Sequence, residues 1–291
     1  MTDIIRSLAD LSGRYDALFC DLWGCLHNGI TPFPEAVTAL QAFRARGGKV
    51  ILVTNAPRPK SNVVKQLDAM GLPRDTWDDI ATSGDASQAA MLMGVVGTRI
   101  HHIGATKDEI FFTQFEPDLA PLVAKTTITR VPLAEAEGIV CTGLADDTTQ
   151  TPGDYRAALL LGKVRGLKML CANPDIIVDM GDKRLYCAGA LAKAYTEMGG
   201  ESLYYGKPYP PVYDLARRRL DIDDPRILCV GDGIGTDVQG GMAEGLDSLF
   251  ITGGIAAANF GPDAAAPDPQ RLQSWLDQQQ MAPTFCIGHL R

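Results

Sequence analysis

The strongest constraint on the fold is an alternation of short apolar segments with longer amphipathic ones along the chain. The apolar segments have the length of buried strands, and several end in Asp, Asn, Thr or Gly. They are ALFCDL, KVILVTN, GIVCTG, KMLCAN, RILCVGD and SLFITGG. The amphipathic segments have helical periodicity and lie at residues 34–46, 61–70, 84–93, 151–165, 189–198, 210–220, 237–244 and 269–280. This alternation predicts an α/β fold in which a mostly parallel sheet carries helices on both faces.

Polar residues at the ends of the predicted strands indicate where a ligand binds, because open parallel sheets bind ligands beyond the carboxyl ends of their strands. These residues are Asp21, Thr54 with Asn55, Lys207 in a Gly-Lys-Pro turn, and Asp232 with Asp237. More than a hundred residues with their own strand and helix alternation separate Asn55 from Lys207. We therefore expect a discontinuous core domain, residues 1–84 and 190–291, with an α/β domain inserted at residues 85–189.

Charge and composition exclude several classes of protein. The net charge of −8 argues against binding a nucleic-acid polymer, whose phosphates would repel the chain. No apolar run approaches the length of a membrane span, and the first residues lack the basic and then apolar order of a secretory signal. The seven cysteines form no CxxC pair. Together these features predict a cytoplasmic protein with buried thiols rather than disulfides or zinc sites.

The residues at the strand ends suit a hard divalent cation and a phosphate group. Asp21, Asp232 and Asp237 supply carboxylates, and Mg²⁺ prefers oxygen ligands. Lys207 supplies a compact positive charge, and Thr54 stands shortly before a helix whose N-terminus would attract an anion. An aspartate can also attack a phosphoryl group to form an aspartyl-phosphate. Each feature alone is explained by a helix cap or a polar turn, but their shared position at strand ends favours one site.

Four segments together resemble the motifs of the haloacid dehalogenase (HAD) superfamily of aspartate-nucleophile hydrolases. They are FCDLWGCL, VILVTNAPRP, YYGKPYPPVYDLA and ILCVGDGIGTDVQGG. Three others, LCANPDIIV, CAGALAKAY and LDSLFITGG, resemble the class IIA branch, which includes NagD-type nucleotide and sugar phosphatases. The resemblance covers nearly the whole chain. It implies a Rossmann-like parallel-sheet HAD core with an inserted α/β cap domain of the C2 type, in which the cap selects the substrate.

The resemblance also implies a role for each motif residue. Asp21 would be the nucleophile, Thr54 would hold the transferring phosphoryl group, and Lys207 would neutralise its charge. The Mg²⁺ cofactor would be held by Asp21, Asp232 and the backbone carbonyl of Trp23, with Asp237 as a supporting or alternative ligand. The residues expected to bind substrate are Asn55, Ala56, Trp23, Asn173 and Asp175. The expected partner is a small phosphorylated metabolite, such as a sugar phosphate or a nucleotide, and the resemblance suggests a homodimer.

Trp23 departs from the first motif of the family, DxDGT, which has a second aspartate at this position. That aspartate protonates the leaving oxygen and later activates water, and an indole can do neither near neutral pH. Three interpretations stay open. In the first, the protein is a phosphatase whose substrate has a good leaving group, or one that takes its acid from another residue. In the second, it binds phosphate or nucleotide with little turnover. In the third, it removes a halide, which departs without a proton.

Other residues bear on these interpretations. Candidates for the replacement acid are His27, Asp175, His101 and His102, although ordinary packing also explains the three histidines. Dehalogenases of the superfamily carry an aromatic residue at the position of Trp23 but need no metal. Because this chain keeps Lys207 and the acidic fourth motif, the resemblance favours a phosphatase. The indole of Trp23 would stack on the substrate or fill space between core and cap.

Overall fold

A computed structural model of the chain describes residues 2–11, 13–180 and 183–291. Within these residues the strands are β1 (Asp3–Ile4), β2 (Ala17–Cys20), β3 (Lys49–Thr54), β4 (Asp79–Thr82), β5 (Arg99–Ile103), β6 (Thr129–Arg130), β7 (Gly138–Cys141), β8 (Lys168–Cys171), β9 (Ile177–Met180), β10 (Lys183–Tyr186), β11 (Glu201–Tyr204), β12 (Ile227–Gly231), β13 (Asp247–Ile251) and β14 (Phe285–Ile287). The α-helices are α1 (Pro34–Ala45), α2 (Lys60–Ala69), α3 (Ser83–Leu92), α4 (Ile110–Thr113), α5 (Ala120–Val123), α6 (Arg156–Val164), α7 (Ala188–Glu197), α8 (Pro210–Leu220), α9 (Gln239–Ala243) and α10 (Pro269–Gln279).

The backbone divides into two compact units. The first unit comprises Met1–Thr54, Lys65–Ala81 and Tyr213–Arg291, and the second comprises Asn55–Val64 and Thr82–Val212. The predicted boundary at 189/190 falls inside α7, and the second unit extends beyond it to Val212. The reason is that β11 pairs with β8, which adds residues 201–204 to the sheet of the second unit. The fold class is α/β, as predicted, with mostly parallel sheets.

The first unit contains a seven-stranded sheet with the order β1-β14-β13-β12-β2-β3-β4. Strands β2 and β12 lie side by side in parallel, and Cys20 pairs with Val230 in the register. Every residue of both strands is buried, which explains why their sequences are continuous apolar runs rather than alternating ones. Their carboxyl ends therefore lie next to each other, where Asp21 and Asp232 follow.

The second unit contains a five-stranded sheet with the order β11-β8-β7-β5-β6 and an antiparallel hairpin formed by β9 and β10. Successive residues of its central strands belong to opposite faces, as the period of two of a β-strand requires. Ile139 and Met169 pack with residues of α6 and α7 on one face. Val140 and Leu170 pack with residues of α3 on the other. Helices thus cover both faces of this sheet, as predicted.

The apolar segments identified in the sequence correspond to strands β2, β3, β7, β8, β12 and β13. Except in β3, which includes Thr54, the strand ends before the polar residues that close the segment. The helix predicted at 151–165 begins with a 3₁₀ turn, Pro152–Tyr155, and becomes α-helical at Arg156. The apolar pattern of the sequence did not indicate strands β1, β4, β6, β11 and β14 or the hairpin of β9 and β10.

Two predictions about the environment of the chain can be compared with the structure. No α-helix among the described residues has both the length and the hydropathy needed to cross a bilayer. All seven cysteines are buried and lie outside disulfides, as expected for thiols that act as small apolar side chains.

Candidate active site

Three of the predicted site residues lie at the carboxyl edge of the first sheet. Asp21 follows β2, Asp232 follows β12, and Thr54 is the last residue of β3. Because β12, β2 and β3 are adjacent in the sheet, their ends meet at one edge. The backbone N–H of Asp21 donates to the carbonyl of Val230 at 2.8 Å, so the ladder between β2 and β12 extends to the predicted nucleophile. All three predicted residues are buried.

Asp21 and Asp232 form a donor cluster with a residue that the sequence analysis did not consider as a ligand. One ligand atom from each of Asp21, Cys25 and Asp232 lies within 4.8 Å of the other two. Two buried carboxylates this close repel each other when both are ionised, and a divalent cation between them removes that cost. Carboxylate oxygens are also the ligands that Mg²⁺ prefers. The pair therefore fits the cation that the resemblance implies.

The backbone around Asp232 is shaped to hold its carboxylate in one orientation. Gly24 has a φ of +75°, and a Cβ at this position would lie 2.0 Å from Asp232 Oδ2. A Cβ at Gly254 would lie 2.1 Å from the same oxygen. The N–H of Ile255 donates to Asp232 Oδ2 at 2.8 Å. A side chain at either glycine would therefore displace the carboxylate from the cluster.

Gly24→Ala is expected to weaken Mg²⁺ binding at least about tenfold, because the added Cβ displaces a ligand from its orientation. The matched control is Gly47→Ala, because Gly47 has a φ of +92° but a Cβ added there would meet no other atom within 4 Å. Both variants should lose about 1 kcal/mol of stability through the unfavourable φ. Isothermal titration calorimetry with Mg²⁺ separates the two effects, and equal affinities of the two variants would contradict this account of the cluster.

Asp237 is not one of the three donors of this cluster, and its carboxylate holds its own loop. Its Oδ2 accepts the N–H of Gly233 at 3.1 Å and the hydroxyl of Thr236 at 3.2 Å. The carboxylate is buried in a short π-helical turn, Ile234–Val238, that follows β12. These contacts fit the supporting role expected from the resemblance. Its role as a direct metal ligand stays a prediction, as does that of the carbonyl of Trp23.

The Cys25 thiol is protonated near neutral pH. Burial raises its pKa well above the ordinary value, and the carboxylates of Asp232 and Asp21 raise it further. A neutral thiol is a poor ligand for Mg²⁺, which leaves the two carboxylates as the ligands for this cation. The feature of the sequence that could have identified Cys25 as part of the cluster is its position shortly after Asp21, in the turn at the end of β2.

The indole of Trp23 packs within its own loop. Its ring meets the imidazole of His27 edge to face, with 5.3 Å between the ring centroids. A Cβ at Gly29, where φ is +86°, would lie 2.3 Å from Cζ3 of Trp23. The indole is half-buried. Its contacts with His27 and Gly29 explain why this loop tolerates a bulky side chain where the family motif has an aspartate.

His27 is poorly suited to replace the missing acid. It is buried, and burial lowers its pKa to about 4, so the imidazole is neutral near pH 7. The N–H of Gly29 donates to its Nδ1 at 3.0 Å, which makes this nitrogen an acceptor. A neutral imidazole with such a low pKa is a weak proton donor. The structure therefore favours the structural interpretation of His27.

In the second unit, the side chain of Asn55 connects two other predicted residues. Its Nδ2 donates to Asp175 Oδ1 at 2.8 Å and to the carbonyl of Lys207 at 3.1 Å. The N–H of Lys207 donates back to Asn55 Oδ1 at 2.7 Å. Asn55 and Lys207 are both buried. The amide therefore fixes the turn that carries Lys207, which is a structural role that the motif comparison did not identify.

The remaining predicted residues of the second unit take part in local turns. Asn173 Oδ1 accepts the N–H of Asp175 at 3.0 Å, so Asn173 orients the aspartate that binds Asn55. The carbonyl of Ala56 accepts the N–H of Gly84 at 3.0 Å. These contacts fix the backbone of both segments, and contact of these residues with substrate stays a prediction.

The paired histidines of β5 are engaged in hydrogen bonds within the second unit. Nε2 of His102 lies 2.8 Å from Oγ1 of Thr142, and Nδ1 of His101 lies 3.1 Å from the carbonyl of Val131. Burial, with a smaller contribution from Arg130, lowers the pKa of His102 to about 4. These contacts agree with the packing interpretation of both residues.

Comparison with known proteins identifies similar chains along the full length. Residues 18–115 match the family profile described as haloacid dehalogenase-like hydrolase, and residues 204–274 match one described as HAD-hydrolase-like. A solved haloacid dehalogenase-like hydrolase from Brucella suis 1330 is 39% identical, with a TM-score of 0.84 over 99% of this chain and 100% of that chain.

Two further relatives are phosphatases. The magnesium complex of a glycerol phosphate phosphatase from Mycobacterium tuberculosis is 26% identical, with a TM-score of 0.64 over 98% of this chain and 77% of that chain. A 5'-nucleotidase from Bacillus subtilis is 24% identical over 83% of this chain and 88% of its own length.

Proposed function

Because the chain belongs to the haloacid dehalogenase-like hydrolases, in their class IIA or NagD-like branch, we propose that it is a Mg²⁺-dependent phosphatase of small phosphomonoesters. The observation that carries the proposal is the buried pair of Asp21 and Asp232 beyond two adjacent parallel strands. Relatives that act on glycerol phosphate and on nucleotides support the same class of substrate.

We propose that Asp21 and Asp232 hold the cation. When bound, Mg²⁺ would supply positive charge that offsets the charge of the nucleophile and of the phosphoryl oxygens. A carboxylate oxygen of Asp21 attacks phosphorus, so an Asp21–phosphorus bond forms and the ester bond to the leaving oxygen breaks. From the motif resemblance, Thr54 binds the phosphoryl group and Lys207 balances its negative charge.

Trp23 determines which steps are slow in this scheme. The leaving oxygen must take its proton from solvent or from a group outside the first motif, because indole has no proton to give near neutral pH. Water must then attack the aspartyl-phosphate without a base at this position, and this attack breaks the Asp21–phosphorus bond and releases phosphate. Turnover is therefore expected to be slow and to favour substrates with acidic leaving groups, such as aryl phosphates.

A second candidate function is binding of a phosphate or nucleotide with little turnover. The packing of Trp23 on His27 and the low pKa of His27 favour it, since neither side chain supplies an acid at this loop. Removal of halide is less well supported, because the dehalogenases of the superfamily need no metal. The close carboxylates of Asp21 and Asp232 instead fit a cation site.

Phosphate release from a panel of alkyl, sugar, nucleotide and aryl phosphates, with and without Mg²⁺, tests the proposal. We expect Mg²⁺-dependent release that is fastest for the aryl phosphates. Binding of Mg²⁺ and of a phosphate analogue without any turnover would support the binding protein instead. Halide release from a 2-haloacid without metal would refute the phosphatase assignment.

We further propose a cytoplasmic homodimer in which residues 85–189 act as the cap that selects the substrate. All seven cysteines lie outside disulfides, which suits a reducing compartment. Helix α6 of the second unit exposes Leu160, Leu161 and Val164, the last at 72% of its surface. Apolar side chains grouped on one short helix suit burial against a second copy. Sedimentation analysis of Val164→Glu tests the dimer, because the added charge should yield monomers.

A further inference from the structure

Cys25 gives the carboxylate pair a donor of a different chemical kind. Asp21, Cys25 and Asp232 are exposed by only 8%, 1% and 9%, so all three side chains are almost completely buried. Their ligand atoms lie within 4.8 Å of one another. Among the described residues, this is the one group of His, Cys, Asp and Glu side chains that is placed to share a metal ion.

The chemistry of the three donors separates two classes of cation. Mg²⁺ is hard and binds oxygen, so a buried thiol beside it contributes little. Thiophilic cations such as Zn²⁺ and Cd²⁺ bind thiolate sulfur and also accept carboxylate oxygens, and zinc is commonly four-coordinate. The three protein donors would therefore fill three of the four coordination positions of such a cation, and the fourth would stay open. The absence of a side chain at Gly24 and Gly254 leaves the space that the Asp232 carboxylate occupies in this arrangement.

We propose that Asp21, Cys25 and Asp232 form a three-donor site for thiophilic divalent cations, in competition with Mg²⁺. On binding, the Sγ–H bond of Cys25 breaks, its proton goes to solvent and a sulfur–metal bond forms, without any change in oxidation state. A thiophilic cation held in this way also engages Asp21. Such a cation should therefore inhibit phosphate transfer. This consequence rests on the proposed function, because it requires Asp21 to be the nucleophile.

Cobalt(II) provides a direct probe of this site, because thiolate ligation gives Co²⁺ a near-ultraviolet charge-transfer band that oxygen ligands do not give. The metal-free protein titrated with Co²⁺ is expected to develop this band in a saturable manner. Cys25→Ser should lose it, whereas the control Cys286→Ser, which changes another buried cysteine in β14, should keep it. Cd²⁺ affinity measured by calorimetry should fall at least about tenfold in Cys25→Ser. The Mg²⁺ affinity should change less than the Cd²⁺ affinity.

A second variant keeps the test decisive if Cys25→Ser folds poorly, which circular dichroism would reveal. Asp232→Asn retains the thiol but removes one carboxylate, and it should weaken both Co²⁺ and Cd²⁺ binding. In the wild-type protein, Mg²⁺ should compete with Cd²⁺. A charge-transfer band that persists in Cys25→Ser, or no band in the wild-type protein, would overturn the proposal. The Co²⁺ absorption band and the Cd²⁺ affinity do not depend on turnover. A protein without phosphatase activity would therefore refute the proposed function, and the metal-binding data would still decide the cation site.

Discussion

Asp21→Asn is expected to lower kcat/KM for phosphate release by a factor on the order of 10⁴ or more, because it removes the attacking oxygen nucleophile rather than a binding contact. The amide is close in size to the carboxylate, so β2 and its pairing with β12 should persist. Phosphate release at several Mg²⁺ concentrations measures the effect. Raising Mg²⁺ should not restore the activity, because the loss is chemical and not only a weaker cation site.

The matched control for this variant is Asp16→Asn at the other end of the same strand. Asp16 precedes β2 and pairs with Arg226 on the surface at 2.8 Å, far along the strand from the carboxyl edge. The same change of carboxylate to amide at this position should leave kcat/KM close to that of the wild-type protein. Substantial activity in Asp21→Asn would show that another group attacks phosphorus.

Trp23→Asp is expected to raise kcat for alkyl phosphates by about 10²- to 10⁴-fold, because it supplies the acid and base that the first motif lacks. The gain in kcat/KM should be smaller for aryl phosphates, whose leaving oxygen departs without a proton. Measurement of kcat/KM for a pair of alkyl and aryl substrates isolates the protonation step, because kcat/KM does not include the later hydrolysis of the aspartyl-phosphate.

Trp23→Asn provides the matched control, because it removes the same contacts with His27 and Gly29 but adds no titratable group. It should show no gain on either substrate. If both variants lose activity equally, the indole itself serves the reaction or holds the loop in its active form. That result would contradict the view that the loop lacks only an acid.

The sequence was sufficient to predict the strands that carry the site, because β2 and β12 are buried on both faces and their sequences are continuous apolar runs. The polar residue that ends each run was therefore recognisable as a strand end. The carboxyl edge rule then predicted that Asp21 and Asp232 meet, and the adjacent positions of β2 and β12 in the sheet account for it.

Contacts that depend on folding within a loop could not be predicted in the same way. Cys25 joins the carboxylates because the turn after β2 reverses at Gly24, and the sequence does not state where that turn places a side chain. The side-chain amide of Asn55 hydrogen-bonds to the turn that carries Lys207, which lies 152 residues later in the sequence. The β11 strand, which pairs with β8 in the sheet of the second unit, was also missed.

The central claim is that Asp21 is the nucleophile in a loop that lacks its usual base, and acid-quenched mass spectrometry during turnover tests it most directly. Without a base at residue 23, hydrolysis of the aspartyl-phosphate should be slow, so the covalent intermediate should accumulate. We predict one added phosphoryl group on the peptide that contains Asp21, present with Mg²⁺ and absent in Asp21→Asn. Steady phosphate release with no phosphorylated peptide, together with an active Asp21→Asn, would contradict the account.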